Sequence, residues 1–426
     1  MNTMLLPEIS ILMAIRYGVI FFGTFTTVVF LLIFLEERER IISSEKRKAP
    51  QGDNLPNITI LIPAFNEEDC ISSTLDSLLS LTYPKKKLKI FVVDDGSKDK
   101  TAEIVKSYKE KGIELIGKEN TGKAASINFG FENVKDDFVL VVDADTYLTE
   151  DALERMYSYL TDDTIAASVP TIQILKPRNL LEQVQMVEYT FGNFLRRIFT
   201  TIGSFALVPA CVLLRSDVLR KVGGFDESAL TEDFELGLRL KHEHFNIAHA
   251  TEVIAKTRAP NTFKAIERQR MRWYYGGYEN LLKYRDFLFN KKYEDFGVFT
   301  FSMTFISIAA TVFLFLYVLL TVSFQIYNNV LILYFGGPTL YISTWLTPPT
   351  FQTPLNPLAY LLLFCMITSI IVFSLAKRYT HLHHYTLGFV AYVTLYWFIF
   401  SFFRVKALIL FLLHRRPGWK RDIPPV

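Results

Sequence analysis

From Phe296 to Ala376 the chain carries no Asp, Glu, Lys or Arg. A stretch of that kind belongs in lipid, where only segments that satisfy their own backbone hydrogen bonds are tolerated. Helical spans are expected near 298–322 and 358–376, joined by the uncharged, proline-rich LTPPTFQTPLNP (346–357) as an extracytosolic loop. Ile332 to Leu346 is broken by Gly336, Gly337 and Pro338 and reads as interfacial or re-entrant. A last apolar stretch, 385–413, is interrupted by Arg404 and Lys406 and ends in HRRPGWKRDIPPV.

Near the other end, Tyr17 to Leu35 is charge-free and just long enough to cross a bilayer. It has no small-residue cleavage site and is followed by EERERIISSEKRKAP, so it reads as an anchor rather than a signal peptide. Arg38, Arg40, Lys46, Arg47 and Lys48 follow it, and only Arg16 precedes it. That bias puts the following domain in the cytosol. The organisation expected is an N-terminal helix (1–36), a basic linker (37–56), a cytosolic domain (57–260), interfacial amphipathic helices (261–295), a membrane region (296–413) and a cytosolic tail (414–426).

The cytosolic part alternates apolar runs with helix-like segments. ITILIPAF (58–65), LKIFVVDDGS (88–97), IELIG (113–117) and FVLVVDAD (138–145) read as strands, with a helix from about Glu67 to Leu81 after the first. Continuous apolar runs of this length are strands buried on both faces, and their alternation with helices indicates βαβ units and a mostly parallel, Rossmann-like sheet. No G-x-G-x-x-G or Walker sequence occurs. A nucleotide would therefore be held through carboxylates and a cation rather than a glycine-rich cradle.

FVLVVDAD ends in Asp143 and Asp145, at the carboxyl end of a strand, where open α/β sheets bind ligands. Residues i and i+2 of an extended chain point the same way, so both carboxylates can face one Mg²⁺ or Mn²⁺; a solvated strand end is the plainer alternative. Asp94 and Asp95, before Gly96, suit a nucleobase or ribose, or an ordinary Asp-Gly turn. Lys123 in TGKAASIN (121–128) sits at a helix start, as a phosphate partner or an exposed lysine. Thr231-Glu232-Asp233 would open a helix as cap and first-turn acids; alternatively, a carboxylate there removes a proton from an attacking hydroxyl. Gln269, Arg272 and Trp273 share one helix face, with a membrane-surface helix as the alternative. An amide, a guanidinium and an indole together suit a sugar diphosphate.

The net charge of +3 and the lack of a basic, aromatic-studded patch argue against nucleic acid. Cys70, Cys211 and Cys365 match no zinc spacing. His381, His383 and His384 read as a polar flank at the membrane surface.

Taken in order, PAFNEE (63–68), VVDDGSKDKT, TGKAASIN, VVDAD, GSFALVPAC (203–211), VGGFDE (222–227), TED and QRMRW resemble the membrane-embedded family-2 glycosyltransferases, which include the cellulose, chitin, hyaluronan and poly-N-acetylglucosamine synthases. The resemblance covers roughly 57–290 and implies a GT-A fold. It implies an inverting, cation-dependent transfer from a UDP-sugar that extends a β-linked polysaccharide processively and moves it across the cell membrane, with Mg²⁺ or Mn²⁺ as cofactor. A single transfer onto a membrane lipid is the competing reading. Carried over residue by residue, Asp233 resembles the catalytic base. Ala64, Glu67, Asp94, Asp95, Lys123, Asp143 and Arg272 are similar to donor-binding positions, with Asp145 and Asp143 at the metal. Gly203, Ser204, Glu232, Gln269 and Trp273 are similar to acceptor-side positions, and Trp419 and Arg421 to a gating segment. That segment must be cytosolic, so 385–413 is expected to be a re-entrant pair of short helices, or 328–346 to cross as well.

Overall fold

In the computed structural model, residues 5–39, 50, 55–209, 211–346, 357–379 and 386–417 are described. The linker, the proline-rich loop, the histidine segment 381–384 and the gating residues Trp419 and Arg421 lie wholly or partly outside them.

Helix α1 (Leu5–Glu36) opens the described chain. The next elements are β1 (Ile58–Ala64), α2 (Ile71–Leu79), β2 (Leu88–Asp94), α3 (Thr101–Ser107), β3 (Ile113–Gly117), α4 (Lys123–Phe131) and β4 (Phe138–Val142). They are followed by β5 (Tyr147–Leu148), α5 (Ala152–Ser158), β6 (Ile165–Ile174), α6 (Leu180–Thr201), β7 (Cys211–Arg215), α7 (Ser216–Lys221), α8 (Glu232–His242), β8 (Asn246–Thr257) and α9 (Phe263–Lys283). The strands form one sheet in the order β3-β2-β1-β4-β7-β6-β8-β5. β3, β2, β1 and β4 are parallel, as are β6 and β8, while β7 runs antiparallel to both its neighbours and β5 to β8.

Alternate residues of one strand feed two cores. Ile58, Ile60, Ile62, Leu140 and Val142 pack on one side of the sheet, and Leu61, Val139 and Val141 on the other. A strand covered on both faces needs apolar residues at every position, which is why these runs show no alternation. The strands stop earlier than their apolar runs suggest: β2 at Asp94 and β4 at Val142. Asp143 to Asp145 therefore lie in a turn closed by the Thr146 amide on the Asp143 carbonyl, 3.0 Å, and the extended-strand argument for a shared direction does not apply to them.

The later helices differ from expectation in two places. Rather than ending near 322, α10 (Ser302–Leu346) continues to Gly337, whose φ of +69° breaks it before Pro338. The proline has no amide to donate and glycine alone adopts that backbone cheaply, so the break falls there. Helix α11 (Pro357–Tyr379) follows. The stretch expected as a re-entrant pair is instead one run of helix: α12 (Thr386–Ala391), a π-helical turn at Tyr392–Tyr396, and α13 (Trp397–Leu412). Its interrupting charges are paired along α9. Lys406 Nζ lies 2.5 Å from Glu267 Oε1, Arg404 stacks over Tyr274 at 5.0 Å, and Tyr278 Oη donates to the Arg404 carbonyl at 2.9 Å.

Two compact units result. One holds α1 to Leu35 together with Thr304–Arg378; the other holds the sheet, its helices and the run from 386. Among the described residues three helical segments are long and apolar enough to cross a membrane: Tyr17–Glu36, Phe296–Pro338 and Leu387–Leu412.

Candidate functional site

The site is built where β1, β2 and β4 end. The Asp95 amide donates to the Ala64 carbonyl, 2.8 Å, which extends the β1–β2 pairing into the loop. Asp95 is 4% exposed, and its carboxylate accepts from Lys118 Nζ at 2.7 Å and from the Thr121 and Gly122 amides at 3.0 and 2.9 Å. Burial alone would raise its pKa, but these donors outweigh burial and hold it below the ordinary carboxylate value. Asp95 thus fixes the turn that launches α4 and its first residue, Lys123. Asp94 accepts from the Ser97 amide, and the Glu67 carboxylate accepts from Cys70 Sγ at 3.1 Å.

Lys123 joins two distant motifs. Its Nζ lies 2.6 Å from Asp143 Oδ1 and 3.3 Å from Glu232 Oε1. Burial disfavours the charged amine, yet Asp143 and Glu232 prevail and hold its pKa above that of an ordinary lysine. Five residues into α4, Asn128 Nδ2 donates to the Phe225 carbonyl, and Asn128 Oδ1 accepts from the Phe225 amide, both at 2.8 Å. The VGGFDE loop before α8 is anchored this way.

Asp145 and Asp233 are in the opposite condition. Burial, then the Asp143 charge beside it, pushes Asp145 up to about 6 against the pull of Lys123; two hydroxyls, Thr146 and Thr257, reach its Oδ1 at 3.4 Å each. Burial, then neighbouring Glu232, pushes Asp233 up to about 6 against Lys123 and Arg272. Negative charge exceeds what the local cations neutralise. Among the described residues no three His, Cys, Asp or Glu side chains converge into a self-sufficient metal cage. Mg²⁺ and Mn²⁺ need only one or two carboxylates when a diphosphate supplies other oxygens, so Asp145 and Asp143 fit such an ion.

Helix α8 is held against α9 by close approach. A Cβ on Gly276 would sit 2.7 Å from Thr231 Oγ1, so only glycine allows this contact. Thr231 Oγ1 does not cap α8; it accepts from Asn280 Nδ2 at 3.0 Å. Deeper in α8, Glu235 (1% exposed) accepts from Arg239, Lys283 and Tyr284. On α9, Arg272 acts on Asp233, and the buried Gln269 Oε1 has no hydrogen-bond partner among the described residues.

The structure therefore brings Lys123, Asp143, Asp145, Glu232, Asp233 and Arg272 into one electrostatic group, with Asp95 supporting it. Gly203 and Ser204 are not brought there. The Gly203 carbonyl accepts from Lys241, eight residues and about 12 Å along α8 from Asp233. Ser204 is 1% exposed. Sequence reasoning also missed Lys118, Glu235, the buried Arg270 and Arg196, which feels the charge of Asp233. Each is an ordinary residue type whose partner is remote in the chain. A surface cleft lined by Asp226, Ser228, Glu279, Asn280, Lys283 and Arg416 contains none of the candidate residues.

Residues 56–276 match the family described as "Glycosyltransferase like family 2". The chain belongs to that family. It is 30% identical over 273 residues to the poly-beta-1,6-N-acetyl-D-glucosamine synthase of Staphylococcus aureus (strain MSSA476), covering 63% of this chain and 65% of that one. It is 29% identical over 255 residues to the enzyme of the same name from Staphylococcus epidermidis, covering 59% and 60%. The match thus spans just under two thirds of the length of these curated relatives. Among solved structures it resembles the mannosyltransferase PcManGT from Pyrobaculum calidifontis, in complex with GDP-Man and Mn2+, with a TM-score of 0.55, 17% identity and coverage of 93% of this chain and 99% of that one. At such identity the likeness concerns the fold, which is a GT-A-type, mostly parallel sheet with helices.

Proposed function

We propose that this chain is a membrane-associated, inverting glycosyltransferase that moves a sugar from UDP to the end of a growing β-linked polysaccharide. The observation that carries this is the meeting of Lys123, Asp143, Glu232, Asp233 and Arg272, drawn from four separated motifs. Relatives named as poly-N-acetylglucosamine synthases support the polymer, and Mn2+ beside GDP-Man in the mannosyltransferase supports a divalent cation.

In this reading Asp95 and Asp94 shape the nucleotide end, and Asp145 with Asp143 holds the cation. When bound, the cation supplies positive charge to the diphosphate. Asp233 takes the proton of the acceptor hydroxyl, whose oxygen bonds to the anomeric carbon as the bond to the diphosphate oxygen breaks. A carboxylate poised at about 6 is a stronger base than an ordinary one and is still ionised at pH 7. Lys123 and Arg272 neutralise the departing UDP, Glu232 holds Lys123 in place, and Trp273 with Gln269 receives the acceptor end.

A single transfer onto a lipid is favoured by one observation: among the described residues three segments are long and apolar enough to cross a membrane, few for a helical enclosure around a polymer. Reconstituting the full chain in vesicles with a panel of UDP-sugars and Mg²⁺ or Mn²⁺, then sizing the product, tests both. Polymer is expected. A one-sugar glycolipid would select the second reading, and no nucleotide release from any donor would end both.

A further inference from the structure

Between Gln269 and Arg272 lie two residues without a task in this scheme. Met271 is an ordinary buried residue, 6% exposed. Arg270 is not ordinary: it is 1% exposed, among the largest fully buried side chains of the chain. A guanidinium withdrawn from water must be paired, and a pair serving stability alone is readily replaced by apolar side chains. Among the described residues Arg270 has one ionic partner: an Nη donates to Glu188 Oε2 on α6 at 2.5 Å. Its centre also lies 4.1 Å from the Trp273 ring and 5.0 Å from the Phe400 ring on α13, and its buried Nε has no hydrogen-bond partner among the described residues. Phe400 is itself backed by Tyr396, stacked at 3.9 Å and 20°. Trp273 keeps part of its surface open.

We propose that Arg270 is a positioning residue for the acceptor site. Tied by Glu188 and backed by Phe400, its planar cation fixes the plane of the Trp273 indole, so that a sugar ring meets that indole in one orientation. The idea rests on the reading that Trp273 receives the acceptor. Trp273 follows Arg270 by three positions on α9, so the two side chains share a face and stack without distorting the helix. Planarity matters as much as charge, because an ammonium gives attraction without a flat surface. Three helices, α6, α9 and α13, thereby meet at one guanidinium. An indole free to turn would leave the acceptor hydroxyl misplaced against Asp233, and about 1 Å of misplacement can cost a factor of roughly 10² in rate.

The test uses the full chain in detergent with Trp345→Phe, Trp397→Phe and Trp419→Phe, which leave Trp273 as the only one of the four tryptophans. Acrylamide quenching and anisotropy of Trp273 are read, with binding of UDP plus Mn²⁺ as the check of folding. Arg270→Met should raise the quenching constant at least twofold and lower anisotropy, with UDP affinity within twofold. Arg270→Lys and Glu188→Gln should fall between. The exchange Glu188→Arg with Arg270→Glu restores an ion pair but moves the cation off the ring, so quenching should stay high; recovery of the parental value would make Arg270 a simple tether and overturn the proposal. Unchanged quenching in Arg270→Met overturns it as well. Should that variant fail to fold, unchanged quenching in both Arg270→Lys and Glu188→Gln does the same. Sugar transfer, measured with the other tryptophans intact, separates the two readings. If Trp273→Phe loses tenfold or more while Arg270→Met keeps the parental rate, the clamp fails and the acceptor reading stands. If Trp273→Phe transfers normally while quenching responds to Arg270, the acceptor reading fails and the clamp stands alone.

Discussion

Two groups of carboxylates, Asp95 on one side and the half-buried Asp145 and Asp233 on the other, are treated in opposite ways. Asp95 is saturated: an ammonium and two amides donate to it, and its proton affinity falls. Asp145 and Asp233 also accept hydrogen bonds, from the Thr146 and Thr257 hydroxyls and from the Phe234 amide, yet burial and like charges raise both to about 6. A carboxylate whose donors outweigh its burial stabilises the fold, while one raised by burial and like charge costs stability that a ligand can return. The difference separates the part of the site that is architecture from the part that awaits chemistry.

The largest expected effect tests the raised pair. Asp233→Asn should lower sugar transfer by about 10³-fold, within the range for general-base catalysis, while UDP affinity stays within twofold. Near-normal turnover in a UDP-release assay would remove Asp233 from its role. Next comes the ligand itself. UDP with Mn²⁺ at about 100 times its Kd should stabilise the fold by about 2.7 kcal/mol, read as a rise of several degrees in Tm, and Asp145→Asn should remove most of that rise. A full rise in the variant would show that the cation does not use Asp145.

The saturated set gives a smaller effect of fixed sign. Asp95→Ala takes the acceptor from the Thr121 and Gly122 amides and the carboxylate from Lys118, so it should cost about 2 kcal/mol in denaturant unfolding at pH 7. Because the folded pKa of Asp95 is lowered, that contribution is present above the ordinary carboxylate range and is lost as pH falls through the folded value. The smallest effect has the opposite sign. A carboxyl at about 6 when folded and 3.8 when unfolded binds more protons in the folded state, so stability falls as pH rises between those values. Asp145→Asn without ligand should therefore raise Tm at pH 7 by roughly 2 °C, a gain that fades below pH 6. A loss of Tm at pH 7 would mean that the contacts of Asp145 outweigh its burial and like-charge cost, and the contrast with Asp95 would be void.

How far the sequence could be read follows from where each partner lies. β1, β2 and β4 were legible because a strand buried on both faces has to be apolar throughout. Asp143, Asp145, Lys123, Asp233 and Arg272 were legible by residue type and local motif. Their directions were not: β4 ends at Val142, so a turn rather than a pleat aims the two aspartates. Thr231 looked like a helix cap because its neighbours are helical, yet its hydroxyl is taken by Asn280, 49 residues on. Arg404 and Lys406 looked like an interruption of the last apolar stretch, but α9 supplies their partners and the helix runs on.

The amino-acid order by itself determined the alternation of strands and helices, the apolar segments fit for lipid, and the acidic, basic and aromatic residues available at strand and helix ends. These depend on local periodicity and on side-chain chemistry, which travel with the residue. Only the tertiary structure decided which carboxylates are raised and which lowered, that Gly276 lets α8 lie against α9, and that Arg270 lies over the rings of both Trp273 and Phe400. Burial, proton affinity and stacking are set by neighbours brought together from far along the chain, and no local stretch contains them.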